Sequence, residues 1–254
     1  MTANTKERTD EQHRARYAEA IANARREGSA AFQNWFNQSG SVEESLVRGH
    51  WDFAAHILTP SVWALISEPH RKTSLEIGYG GGRIINAAAN FFGRAVGVDV
   101  HGERDSVQQF LTSVGKQNVL LLDTDGRSLP VDDQSIDFVY SFIVLQHLPA
   151  FEVLESYVSE TFRVLKKDGV AQLYFGRFGY AGRMARLRNF ARGYVEIADA
   201  PVNFTSLVVT KRRMKRLCES HGFTVVDTGM SYKSIPDGYP HRKGMQHYVT
   251  LVKR

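Results

Sequence analysis

The chain contains one cysteine, Cys218, so no internal disulfide can brace it and its 254 residues must be held by their core. It has no apolar run near the ~18 residues that a membrane-spanning helix requires. Its first twenty residues, MTANTKERTDEQHRARYAEA, lack the apolar centre of a secretory signal. A cytoplasmic protein is therefore expected. Repeats and low-complexity tracts are absent, and with 43% hydrophobic and 23% charged residues the chain can bury one sizeable core with appendages. Acidic residues are scarce in one place: residues 176–216 hold ten Lys/Arg against only Glu196 and Asp199. The rest of the chain then sums to −3, so the net +5 is a local feature that speaks of a partner near that segment.

What is present is an alternation of apolar runs. Residues 6–37 carry Tyr17, Ile21 and Ala24 at helical spacing, and a second helical stretch over 42–67 is divided by Pro60. From Thr73 onward, TSLEIG, RAVGVDV, NVLLLD, SIDFVYSF and GVAQLYF read as strands buried on both faces. RIINAAANFF and residues 151–167 read as helices between them, the second ending at its lysines and Gly169. A helix from Lys211 to His221 and two late strands, FTVVDTG and HYVTLVKR, joined by a loop with Pro236 and Pro240, suit a hairpin at a sheet edge. The fold class this predicts is α/β, a doubly wound, mostly parallel sheet with helices on both sides.

The turn after the first run, Gly78-Tyr79-Gly80-Gly81-Gly82, brings backbone amides close to a ligand. Glu76 at its mouth repels a pyrophosphate and suits a ligand with an ammonium group. EIGYGGGR resembles the glycine-rich first motif of class I S-adenosylmethionine-dependent methyltransferases, and the likeness continues in order over residues 74–175. Asp99, Asp125-Gly126 within TDGRSLPVDDQSIDFVYS, VLQHL and RVLKKDG stand at that family's later motifs. The resemblance implies a seven-stranded Rossmann-like sheet and S-adenosylmethionine as cofactor. It implies that Glu76, Gly78, Tyr79, Gly80 and Gly82 meet the methionine end, and that Asp99 with Val100 holds the ribose. Asp125 and Gly126 would meet the adenine, with Ser141 beside the cofactor. KKDG replaces the usual proline-glycine turn, and His101 stands where a small polar residue is common.

Four parts are expected: an N-terminal helical lid (1–70), a cofactor-binding core (71–175), a basic acceptor-side insertion (176–210), and a C-terminal helix and hairpin (211–254). Methyl transfer needs alignment and exclusion of water, and a base only where the acceptor must lose a proton early. His147, just past the fourth strand, is the candidate base; a histidine that only bonds a loop is the plainer reading. The chain lacks an N-P-P-Y motif after FVYS, an active-site cysteine, and an acid after the fourth strand where Ser141-Phe142-Ile143 stands. No metal is therefore expected. Arg177 and Arg183 suit an anionic, phosphorylated or saccharide acceptor, and Arg48 with Trp51 is expected to touch cofactor or acceptor. RNA is the rival partner for the basic stretch, and a catalytically idle binding domain is the third reading. The bland reading of 183–190 is a cationic helix packed through Met184, Leu187 and Phe190.

Overall fold

The computed structural model describes residues 3–37, 41–231 and 246–254, so the loop with Pro236 and Pro240 lies outside the described residues. The described residues form nine strands: β1 (Thr73–Ile77), β2 (Arg94–Asp99), β3 (Val119–Asp123), β4 (Ile136–Ser141), β5 (Leu165–Phe175), β6 (Tyr194–Glu196), β7 (Leu207–Val209), β8 (Phe223–Met230) and β9 (His247–Lys253). Seven make one sheet in the order β3-β2-β1-β4-β5-β9-β8, in which β9 alone runs opposite to the other six. The order reverses between β1 and β4. In such sheets ligands bind beyond the strand ends at that point.

Alternation along the strands builds two cores. Phe138 and Tyr140 of β4 face a cluster with Phe53, Ile85 and Ala88, while Val139 faces the other way, towards Leu154, Val158 and Leu217. The helices that supply these faces are α5 (Arg83–Phe91) on one side and α7 (Phe151–Val164) with α9 (Lys211–Ser220) on the other. The remaining helix of the core, α6 (Arg104–Ser113), follows β2.

Two expectations are corrected. β3 was expected to be buried on both faces, but it is a sheet edge and leaves Leu120 exposed. α7 stops at Val164 instead of Lys167, because Leu165 already pairs with Ile136 of β4; Lys166 and Lys167 lie exposed on β5. Asp168 turns with a φ of 61°, where the ladder between β4 and β5 shifts register.

The N-terminal residues form α1 (Ala3–Arg26), α2 (Ser29–Asn37), α3 (Val42–Asp52) and α4 (Pro60–Leu65). Between the last two the helix widens to a π-turn over Phe53–Ile57, which buries Phe53, His56 and Ile57 together. α3 lies against α5 so closely that a Cβ on Gly49 would sit 2.2 Å from the Arg83 carbonyl. Beside that contact Arg83 is ion-paired with Asp52. After β5 the chain leaves the sheet to form α8 (Arg183–Arg188) and the small hairpin of β6 and β7, then returns through α9.

Candidate active site

The glycine turn follows β1 and opens α5. Gly78 and Gly80 take φ of 82° and 51°, and a Cβ at Gly78 would fall 2.3 Å from the Val144 side chain. Only glycine accommodates both demands. Asp99, at the end of β2, accepts from the Gly80 N–H at 2.8 Å on one carboxylate oxygen and from the Val100 N–H at 2.7 Å on the other. Each oxygen keeps a further lone pair. His101 donates Nε2–H to the Gly80 carbonyl at 3.2 Å and accepts the Glu103 N–H on Nδ1, which locks the turn to the start of α6.

A cavity of about 210 Å³ opens over this turn. A single water needs only ~10–15 Å³ on that measure, so the space is of small-molecule size. Glu76, Gly78, Tyr79, Gly80, Asp99, Val100, Gly126 and His147 line it. The other expected site residues do not. Gly82 caps α5 behind the turn, and the Ser141 hydroxyl donates to the Ile77 carbonyl. The Asp125 carboxylate accepts from the Arg127 and Ser128 amides and the Ser128 hydroxyl, closing its own turn. Despite partial desolvation, those bonds hold its carboxyl below the ordinary value.

Arg48, Trp51, Arg177 and Arg183 are likewise absent from the lining. Arg48 lies 3.9 Å from Asp52, the partner of Arg83, which does reach the cavity. Arg177 covers the ring of Tyr180, and Arg183 is exposed at the start of α8.

Glu76 is 2% exposed and accepts a hydrogen bond from Tyr140 Oη at 3.1 Å. Desolvation pushes its carboxyl up to about 8, against the opposing effects of that bond and the Arg83 charge, while Asp99 adds to the rise. A buried carboxylate in a cavity wall with a single hydroxyl partner fits a ligand that brings a positive charge.

The far end of the cavity is built by α1 and α2, which lie within the stretch expected as a lid, through side chains not singled out there as site residues. Tyr17, Ile21, Trp35 and Phe36 of α1 and α2 face Ile143, Val144 and Leu148 across it. Phe36 packs over the glycine turn and Gln33 donates to the Gly81 carbonyl at 3.1 Å. α1 is tied to the 125–127 loop by Arg14 on the Asp125 carbonyl and by an Asp10–Arg127 ion pair.

Two histidines meet there. His13 donates Nε2–H to the His147 carbonyl at 2.7 Å, so its Nδ1 carries the lone pair. His147 donates Nδ1–H to the Phe204 carbonyl at 2.8 Å and receives the Gln146 amide on Nε2 at 3.1 Å. Burial pushes both rings below the ordinary histidine value. The Tyr17 ring lies between them, with centroids 5.1 Å from His13 and 6.1 Å from His147, and its oxygen accepts the Asn203 N–H. Position 13 stands one turn before Tyr17, so the helical spacing that singled out Tyr17 and Ile21 also reaches His13.

A glycine turn, an acidic strand end and a cavity at the switch point of a seven-stranded sheet with one reversed strand define the architecture of the Rossmann-like methyltransferases. Residues 75–173 match the family model of the methyltransferase domain. Residues 75–173 are thus a methyltransferase domain, and S-adenosylmethionine is its cofactor.

Among solved structures it is similar to an S-adenosylmethionine-dependent methyltransferase of Methanosarcina mazei, with 19% identity, a TM-score of 0.59, and coverage of 77% of this chain and 98% of that one. A counterpart from Aquifex aeolicus is 14% identical with a TM-score of 0.55, covering 80% and 93%. One from Mesorhizobium loti is 13% identical with a TM-score of 0.56, covering 79% and 99%. Likeness at such identities establishes a shared fold. No curated protein matches the sequence.

Proposed function

We propose that the enzyme transfers a methyl group to an O or N atom of a small, hydroxylated acceptor of glycan type, seated between the N-terminal helices and the strand ends. The observation that carries this reading is the far end of the cavity: aromatic walls from Tyr17, Trp35 and Phe36 beside the polar edges of His13, Tyr17, His147 and Asn203. Aromatic faces suit the apolar side of a sugar ring, and the polar groups suit its hydroxyls. An anionic group on the acceptor would sit at the rim towards Arg177 and Arg183, since the lining arginines Arg14, Arg83 and Arg127 already serve Asp125, Asp52 and Asp10. The helices of residues 1–70 serve as the lid and the 176–210 insertion as the acceptor-side wall.

Bound S-adenosylmethionine supplies an electrophilic methyl on its sulfonium. Glu76 would hold its ammonium, Asp99 with Val100 would hold the ribose hydroxyls through the remaining carboxylate lone pairs, and Gly126 would lie beside the adenine. For a hydroxyl acceptor, His13 receives the proton on Nδ1; its lowered pKa keeps it neutral at pH 7. His147, both of whose nitrogens are engaged, positions His13 through its carbonyl and the insertion through Phe204.

The test is calorimetric titration with S-adenosylmethionine and S-adenosylhomocysteine, beside Asp99→Ala. It is followed by mass spectrometry of monosaccharides, aminosugars, sugar phosphates and RNA incubated with the enzyme. Binding abolished by Asp99→Ala and methyl gain on a saccharide are expected, with His13→Asn losing turnover of a hydroxyl acceptor while still binding S-adenosylhomocysteine. Methyl gain on RNA alone would replace this reading with the nucleic-acid one. Binding without transfer to any of these would favour the idle domain.

A further inference from the structure

The basic insertion holds apolar side chains that its fold does not use. α8 packs inward through Ala185, against a small cluster of Ala181, Val195 and Val208. At about 100° per residue, the face opposite Ala185 carries Arg183 and Leu187, with Met184 and Arg186 on its flanks. Met184 is 61% exposed, Leu187 64% and Phe190 78%. The bland reading, a helix packed through these three residues, is thus reversed. Scattered exposed apolar residues are ordinary, but three large ones on one short segment, set among arginines, mark a surface that meets something.

We propose that this face docks on an anionic lipid surface. Arg183, Arg186 and Arg188 alternate with Met184, Leu187 and Phe190, the pairing of cationic side chains with apolar ones that sits at a headgroup boundary. The charge excess is spread over residues 176–216, a broad field suited to a surface of like charges. Single-stranded nucleic acid is less well matched, because Met184 and Leu187 offer no ring on which a base stacks. A two-fold contact between copies would set these arginines against their own counterparts.

The same insertion supplies Asn203 to the cavity wall and the Phe204 carbonyl to His147. The docking face and the acceptor end of the cavity therefore belong to one segment. The proposal stands whichever acceptor the enzyme takes.

Co-sedimentation of the full chain with vesicles of phosphatidylcholine alone, and of phosphatidylcholine mixed with phosphatidylglycerol, tests it at low and high salt. Binding to the mixed vesicles only, weakening with salt, is expected. The Leu187→Ser, Phe190→Ser pair should lower the partition at least about tenfold by removing apolar insertion. Arg186→Gln and Arg188→Gln should each lower it about fivefold. All four positions lie outside the cavity and the core, so melting temperature and S-adenosylhomocysteine affinity serve as folding controls and should hold. Wild-type protein that ignores the mixed vesicles overturns the proposal, as does vesicle binding that the apolar pair leaves unchanged. Binding of an RNA oligonucleotide with no vesicle binding would give the face to nucleic acid. A dimer in light scattering that Leu187→Ser dissolves would give it to a second copy.

Discussion

Glu76 gives the sharpest test of the cofactor end, because its raised pKa makes stability and ligand response depend on pH in a chosen window. Its carboxyl lies at about 8 in the folded protein against an ordinary 4.5. The folded state therefore holds this proton where the unfolded chain has released it, so the stabilisation is complete below 4.5 and is lost as pH rises through 8. The histidines His13, His56, His147 and His247 are all pushed down by burial, and their effect runs the other way and at lower pH. Between about pH 7 and 8.5 the loss from Glu76 is then about 1 kcal/mol. For a chain of this size that is roughly 2–4 °C in melting temperature. Thermal denaturation by circular dichroism should show this fall in the ligand-free protein and its absence in Glu76→Gln. Added S-adenosylhomocysteine should stabilise wild type increasingly over pH 6–8, as its ammonium meets the ionising carboxylate, and Glu76→Gln should lose that trend. A flat wild-type profile between pH 7 and 8.5, or the same slope in Glu76→Gln, would refute the argument.

Three further outcomes follow from the geometry. Gly78→Ala places a Cβ 2.3 Å from Val144 at a φ of 82°; it should weaken S-adenosylhomocysteine binding about tenfold or more, and Val144→Ala should restore only part because the backbone strain remains. Asp52→Ala strips the buried Arg83 of its carboxylate, and should destabilise by about 3–5 kcal/mol in chemical denaturation. Cys218 is buried in α9, and burial pushes its thiol up to about 12. A thiol reagent at pH 8 should therefore modify it only as fast as the protein opens, and rapid labelling of the folded chain would contradict that burial.

The core was legible because its physics is local. Apolar runs of strand length, glycines where φ is positive and Asp99 at a strand end are written in consecutive residues, and β1, β2, β4 and the turn stand where those signals lie. The exposed side of β3 was not legible, since VLLLD reads the same whether or not a neighbouring strand covers it. The roles of Tyr17, Trp35 and Phe36 depend on where α1 and α2 come to rest, a matter of contacts across more than a hundred residues. The π-turn at Phe53–Ile57 has no marker beyond a helical composition. For α8, apolar residues at helical spacing suggested packing, but only the presence of a small alanine on the opposite face decides which side turns inward.

The ties between α1 and the 125–127 loop have a kinetic consequence if the N-terminal helices act as the proposed lid. Arg14 and Arg127 each bridge from one rim of the cavity to the other, at or near the protein surface, and both bonds involve charged groups that dissolved ions screen. A ligand exchanging beneath α1 would require those two bonds to part. Exchange of a bound nucleoside will accordingly quicken with ionic strength even where its equilibrium affinity changes little, and turnover limited by product departure would rise with salt before it falls.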